Sequence, residues 1–86
     1  MTIVYGRKFL KAAKALPKNH QRKLAQQLGT LVKNPFHSTL HTKRLTGPLV
    51  GFLSFRITRD WRVIFQFLDA ETIQLIDVAH RKNIYR

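Results

Sequence analysis

The sequence predicts a single small α+β domain of order β-α-α-β-β-β, with an antiparallel sheet and a helical hairpin packed on one of its faces. Three observations carry this expectation. At 86 residues the chain is too short to divide, because separate cores seldom form below roughly 100 residues. Its first third holds two apolar stripes at helical spacing, and its second half holds three β-rich runs with short gaps. A hydrophobic fraction of 44% is ordinary for a folded chain, which argues against disorder. Residues 1–86 are therefore expected to form one domain.

Thr2–Tyr5 (TIVY) reads as a short strand. From Arg7 to Leu16, the apolar residues Phe9, Ala12, Ala13 and Leu16 recur at spacings of three and four, one face of a helix. Asn19 to Lys33 is a second helix, with Leu24, Leu28, Leu31 and Val32 as its apolar stripe. Pro17 punctuates the join, and Asn34-Pro35 ends the second helix. Residues Asn34–Pro48, with two prolines and a glycine, read as a loop. Gly51–Thr58, Trp61–Leu68 and Thr72–Ala79 are strands, rich in Val, Ile, Phe and Thr and close enough for hairpins.

Alternation assigns the faces of these strands. Trp61, Val63, Phe65 and Phe67 share one side, which should lie under the helices. If Asp69-Ala70-Glu71 is a three-residue loop, Leu68 faces Thr72, Arg62 faces Val78, and His80 lies diagonal to Arg62. That register places Arg62, Gln66, Gln74 and His80 together on an uncovered face.

Charge restricts the function. Sixteen Lys and Arg against four Asp and Glu give a net charge of +12. Such an excess repels itself in a compact fold and is relieved by a polyanion or an acidic partner. Nucleic acid is the first candidate, because neutralising its phosphates releases condensed counterions. A membrane is a poor one: no apolar run of about 18 residues and no signal-peptide pattern is present, so a cytoplasmic protein is expected. The absence of Cys excludes disulfides and thiolate metal sites, and fits the same compartment.

The groups able to do chemistry gather at Lys43-Arg44 and from Arg56 to the C-terminus, through Arg59, Arg62, His80, Arg81, Lys82, Tyr85 and Arg86. RNA is cut without a metal when its own 2′-hydroxyl attacks the adjacent phosphorus. A protein then supplies a base for that hydroxyl, cations for the phosphorane charge and an acid for the leaving oxygen. His carries protons near neutral pH, and Arg offers a planar donor fork to phosphate. Paired-carboxylate chemistry is poorly supported, since the acids are Asp60, Asp69, Glu71 and Asp77 and two of these sit in a hairpin loop. The four His (His20, His37, His41, His80) lack zinc-ligand spacing, and there is no Gly-rich phosphate loop. No metal and no cofactor are implied.

The segments Asn34–Leu49 (NPFHSTLHTKRLTGPL), Ser54–Phe67 (SFRITRDWRVIFQF) and Asp77–Tyr85 (DVAHRKNIY) resemble the RelE/YoeB/YafQ group within the RelE/ParE toxin superfamily. The resemblance covers nearly the whole chain; its marks are Asp60-Trp61-Arg62 before a strand, a His-Arg segment and a closing Tyr. It implies a RelE-like fold and the toxin of a type II toxin–antitoxin system. Such a toxin enters the ribosomal A site, contacts rRNA, cuts mRNA to a 2′,3′-cyclic phosphate and a 5′-hydroxyl, and is held inactive by an acidic antitoxin. Carried over, Arg62 sits on the scissile phosphate, Arg81 matches a C-terminal arginine, His80 and Tyr85 match a terminal His and aromatic, and Arg56 matches a basic strand residue. The glutamate base of YoeB-like members has no counterpart in Arg44–Phe52. Gyrase-poisoning ParE proteins share this fold, so a gyrase inhibitor is an alternative, as is a non-catalytic RNA- or ribosome-binding module.

The expected catalytic set is thus Arg62, His80, Arg81 and Tyr85, with Lys43, Arg44, Arg56, Arg59 and Lys82 as RNA contacts. Each has a plainer reading beside it. His80 can be a strand-end histidine, Arg62 a solvent-facing arginine, Tyr85 a tail packed on the sheet. Arg56, Arg81, Lys43 and Arg44 can be general positive charge. His37 and His41 are expected to hydrogen-bond within their loop. Trp61 belongs with the core by parity, and Asp77 with a helix Lys or Arg.

Overall fold

A computed structural model describes residues 1–84. The chain runs β1 (Thr2–Tyr5), α1 (Arg7–Lys14), α2 (Lys18–Lys33), β2 (Lys43–Arg44), β3 (Leu53–Arg56), β4 (Trp61–Asp69), β5 (Thr72–His80) and α3 (Arg81–Ile84). Short 3₁₀ turns at Ser38–Leu40 and Gly47–Leu49 flank β2. The five strands lie in the order β1-β5-β4-β3-β2. Four of them pair antiparallel, whereas β1 runs parallel to β5, with Thr2 beside Thr72 and Tyr5 beside Leu75. The sheet is therefore mixed, because the first strand joins the last one and not its neighbour in sequence.

The α+β class and the helical hairpin match the sequence expectation. Pro17 ends one helix and opens the next, since it offers no N–H and pushes Leu16 toward extended backbone. Gly6 is required where β1 turns into α1: a Cβ there would stand 2.6 Å from the carbonyl oxygen of Leu75. From the helices, Phe9, Leu16, Leu24 and Leu31 pack onto Leu53, Phe55, Val63, Phe65, Ile73, Leu75 and Val78 of the sheet. Trp61 and Phe67 pack against this cluster, on the face that alternation assigns them.

The opposite face is not open throughout. Ser54, Arg62 and Ile64 are buried there. Leu49 and Phe52 from the segment after β2, and Ile84 from α3, line one cleft with Ile64 and Ile76. The segment between β2 and β3 thus closes over part of the sheet with α3, and β3 begins at Leu53, two residues later than the sequence predicts. Among the described residues, no helix is long and apolar enough to cross a membrane.

Candidate functional site

Register decides what shares a surface at the open end of the β4–β5 hairpin. Near the turn, Gln66 pairs with Gln74, as alternation predicts, and their amides hydrogen-bond at 3.0 Å. Between Ile64 and Phe65 the register shifts: Ile64 pairs with Asp77 while Phe65 pairs with Leu75, leaving Ile76 as an extra residue in β5. Beyond that bulge Arg62 pairs with Ala79, and Trp61 with His80. On the other side Arg62 pairs with Arg56. Two guanidinium-bearing residues therefore lie next to each other across adjacent strands.

An open concavity of about 640 Å³ is lined by His41, Thr42, Lys43, Arg56, Arg62, Arg81 and Lys82. Five of these seven residues are cationic and none is a carboxylate. Like charges this close repel one another, so an anion placed among them is attracted by all. Arg62 is 5% exposed, and its Nη2 donates to the carbonyl of Arg59 at 3.0 Å. The Nε of Arg56 is buried with no hydrogen-bond partner among the described residues. Arg81 enters from the first turn of α3, where its backbone N–H donates to the Asp60 carbonyl at 2.8 Å and its Nε meets the Asp60 carboxylate at 3.4 Å.

His41 reaches the concavity from a different direction. It closes the turn Ser38–Leu40 in left-handed backbone, with φ 49° and ψ 44°. This conformation is uncommon for a residue with a side chain, although His tolerates it better than most, and contacts on either side help to hold it. Leu40, fully buried, anchors one side, and Gln27 of α2 donates to the carbonyl of Thr39. Thr42 donates its hydroxyl to the Pro35 carbonyl. A smaller recess adjoins the main one and shares His41 and Arg56 with it; Lys23, Thr39, Thr58 and Arg59 also line it.

Arg62, Arg56, Arg81, Lys82 and Lys43 are therefore brought together as expected, and His41 joins them. The expectation that Arg62 and His80 share an uncovered face is corrected. Arg62 pairs with Ala79 and His80 with Trp61, adjacent positions of the ladder, and the two line different hollows, Arg62 the cationic concavity and His80 the cleft of Ile64 and Ile76. The His80 ring meets Trp61 edge-on at 5.3 Å between centroids, and its Nδ1 accepts the Lys82 backbone N–H at 3.3 Å. It lines the separate cleft with Lys8 and Asp77. Those two form the expected acid–helix ion pair, at 3.3 Å.

Two cations also lie elsewhere. Arg44 follows Lys43 in a strand and so faces the other way, with its guanidinium 5.8 Å above the Phe36 ring. Arg59 lines the adjoining recess. Tyr85 lies outside the described residues. His37 stays in its own turn, accepting the Thr39 backbone N–H. His41 is the residue that pattern reading underrates, and the local signal for it is its place beside Thr42-Lys43, at the mouth of a loop that already carries predicted contacts.

Residues 3–85 match the model of a family described as the ParE toxin of the type II toxin–antitoxin system, parDE. The chain belongs to this family. Among solved structures, this ParE-family toxin is similar to YafQ from Escherichia coli BL21(DE3), at 20% identity and a TM-score of 0.78, over 98% of this chain and 97% of that one. It is similar to a YoeB/ParE toxin from Agrobacterium tumefaciens at 16% identity and a TM-score of 0.78, over 94% and 99% of the two chains. It is also similar to a chain of the RelBE2 toxin–antitoxin complex from Mycobacterium tuberculosis at 22% identity and a TM-score of 0.76, over 93% and 96%. At these identities the likeness shows a shared fold. A comparison with curated protein sequences gives no significant match.

Proposed function

We propose that this chain is the toxin of a type II toxin–antitoxin pair and that it cleaves mRNA on the ribosome, without a metal. One observation carries the proposal: five cations and one imidazole converge on an open concavity that, among the described residues, no carboxylate lines. That arrangement suits a phosphodiester whose ribose performs the attack. The 2′-oxygen forms a bond to phosphorus, the bond from phosphorus to the 5′-oxygen breaks, and the products are a 2′,3′-cyclic phosphate and a 5′-hydroxyl. Arg62, Arg56 and Arg81 hold the phosphate oxygens as charge develops on them. Lys43 and Lys82 contact neighbouring phosphates and set the register of the strand. His41 moves the proton. One proton leaves the 2′-hydroxyl and one arrives at the 5′-oxygen, so a single imidazole balances the reaction.

The same charge calls for an acidic antitoxin that covers the concavity and excludes RNA, in line with the complex in which the RelBE2 relative is found. Ribosome binding places the protein in the cytoplasm. The test is primer extension on a message bound to ribosomes, with and without a single 2′-deoxy substitution at the cut site. Cleavage of the normal message and none at the deoxy position is expected. Cleavage at a position that lacks its 2′-hydroxyl contradicts the mechanism, and binding without any cut supports a non-catalytic module.

The matching family is that of the ParE toxin, and since gyrase-poisoning ParE proteins share this fold, inhibition of DNA gyrase is the second reading. Inducing the protein and timing DNA breaks against translation arrest separates the two. Breaks that come first would replace the RNA-cleavage reading.

A further inference from the structure

Leu24, Leu28 and Leu31 form the apolar stripe of α2, and Gln27 occupies a position within that stripe while being 4% exposed. Its Nε2 donates to the Thr39 carbonyl at 3.1 Å and to the Arg56 carbonyl at 3.0 Å. Both donors of the side-chain amide are thereby used. The two carbonyls lie on separate segments. Thr39 is two residues before His41, and Arg56 carries its own guanidinium into the concavity. The β2–β3 ladder covers only Lys43–Ser54 and Arg44–Leu53, so it stops short of Arg56. Gln27 supplies a donor to β3 past the end of that ladder, and the same atom fastens the turn that presents His41.

We propose that Gln27 is a positioning residue of the site, fixing where His41 stands relative to Arg56. A Met or Leu of similar size would pack with the leucine neighbours, but it would leave the Thr39 and Arg56 carbonyls without this donor. A buried amide is the poorer choice for packing alone, and its benefit lies in joining two polar groups with one geometry. His41 gains from such a tie, because left-handed backbone is uncommon for a residue with a side chain and the Thr39 carbonyl is fastened two residues before it. The catalytic consequence rests on the RNA-cleavage reading above, whereas the positioning itself does not.

The test uses the full chain with two variants. Gln27→Met keeps length and removes both donors; Gln27→Glu keeps shape but sets a carboxylate against two carbonyl oxygens. Three readouts are compared with wild type: amide hydrogen exchange residue by residue, affinity for a 2′-O-methyl RNA oligonucleotide that cannot be cut, and message cleavage across pH. In Gln27→Met, exchange at Leu40 and His41 should accelerate at least about tenfold while β4 and β5 stay unchanged. The cleavage rate should fall at least about tenfold, with affinity within about threefold of wild type and an altered pH profile. Gln27→Glu should lose more.

A uniform rise in exchange across the sheet, or unchanged exchange at Leu40 and His41, overturns the proposal. So does cleavage at the wild-type rate in a variant whose turn has loosened. If wild type itself cuts no RNA while the variant's turn selectively loosens, the cleavage reading falls and the positioning stands. Should neither variant fold, wild type decides: scalar couplings across the hydrogen bonds from Gln27 Nε2 to the Thr39 and Arg56 carbonyl carbons are expected, and their absence overturns the assignment.

Discussion

The two ends of the β4–β5 hairpin treat their polar residues differently. Toward the turn end the expected pairing is kept, with Gln66 facing Gln74 and the two amides bonded, until a shift between Phe67 and Asp69 sets Asp69, and not Leu68, beside Thr72. At the open end one extra residue, Ile76, shifts the pairing so that Arg62 meets Ala79 and His80 meets Trp61. The histidine that lines the cationic concavity is His41 and not His80. His80, adjacent in sequence to the cations of α3, is turned against an indole and caps the start of that helix. His41, some twenty residues before Arg62, is swung into the concavity by a left-handed turn. The bulge sets His80 opposite Trp61, and a separate turn brings His41 to the arginines.

If that contrast is right, Arg62→Ala has the largest effect, lowering cleavage roughly 100- to 1,000-fold as a charge-stabilising donor is removed. Ribosome-bound message cleavage measures it, with circular dichroism as the check on folding because Arg62 is buried. Cleavage within a few-fold of wild type in a folded variant would place the chemistry elsewhere.

His80→Ala should act on stability. Losing the Trp61 contact and the bond from the Lys82 N–H should cost about 1–2 kcal/mol, seen as a lower thermal midpoint. An unchanged midpoint would show that this end of the hairpin does not depend on the histidine.

Asp60→Asn is expected to do less. Its carboxylate meets Arg81 at 3.4 Å with both side chains about half exposed, so the pair contributes no more than about 0.2–1 kcal/mol. Releasing Arg81 should tighten RNA binding about two- to fivefold, a gain that high salt abolishes. Weaker binding at low salt would mean that Asp60 orients Arg81 and does not restrain it.

The smallest effect belongs to the turn end. The Glu71 backbone N–H, followed by the Thr72 hydroxyl, holds the Asp69 carboxyl below its usual value. A lowered carboxylate adds stability that is complete above its unfolded value of about 4 and is lost as pH falls through the folded one. The midpoints of wild type and Asp69→Asn should therefore differ slightly at neutral pH and converge in acid. A gap that widens in acid would reverse the sign.

Much of this was legible in the residues. Pro17, the Leu24–Leu28–Leu31 stripe and the Trp61–Phe67 alternation mark the helices and the core face directly, because periodicity records burial. The cations Arg56, Arg62, Arg81, Lys82 and Lys43 were legible through composition and through the family resemblance. The bulge at Ile76 was not, since Ile76 continues a β-rich run and nothing local distinguishes an extra residue from a paired one. The two-residue strand Lys43–Arg44 and the parallel pairing of β1 were hidden as well, for both exist only through distant partners. Gln27 left a trace, a polar residue on an apolar stripe, whose meaning needs the two carbonyls it reaches.

The most direct measurement sets the two histidines side by side. His41→Ala and His80→Ala are assayed for cleavage of the same ribosome-bound message, at a temperature where both are folded. Cleavage should fall about 100-fold or more in His41→Ala and stay within a few-fold of wild type in His80→Ala. The opposite result, with His80→Ala inactive and His41→Ala active, would contradict the site described here.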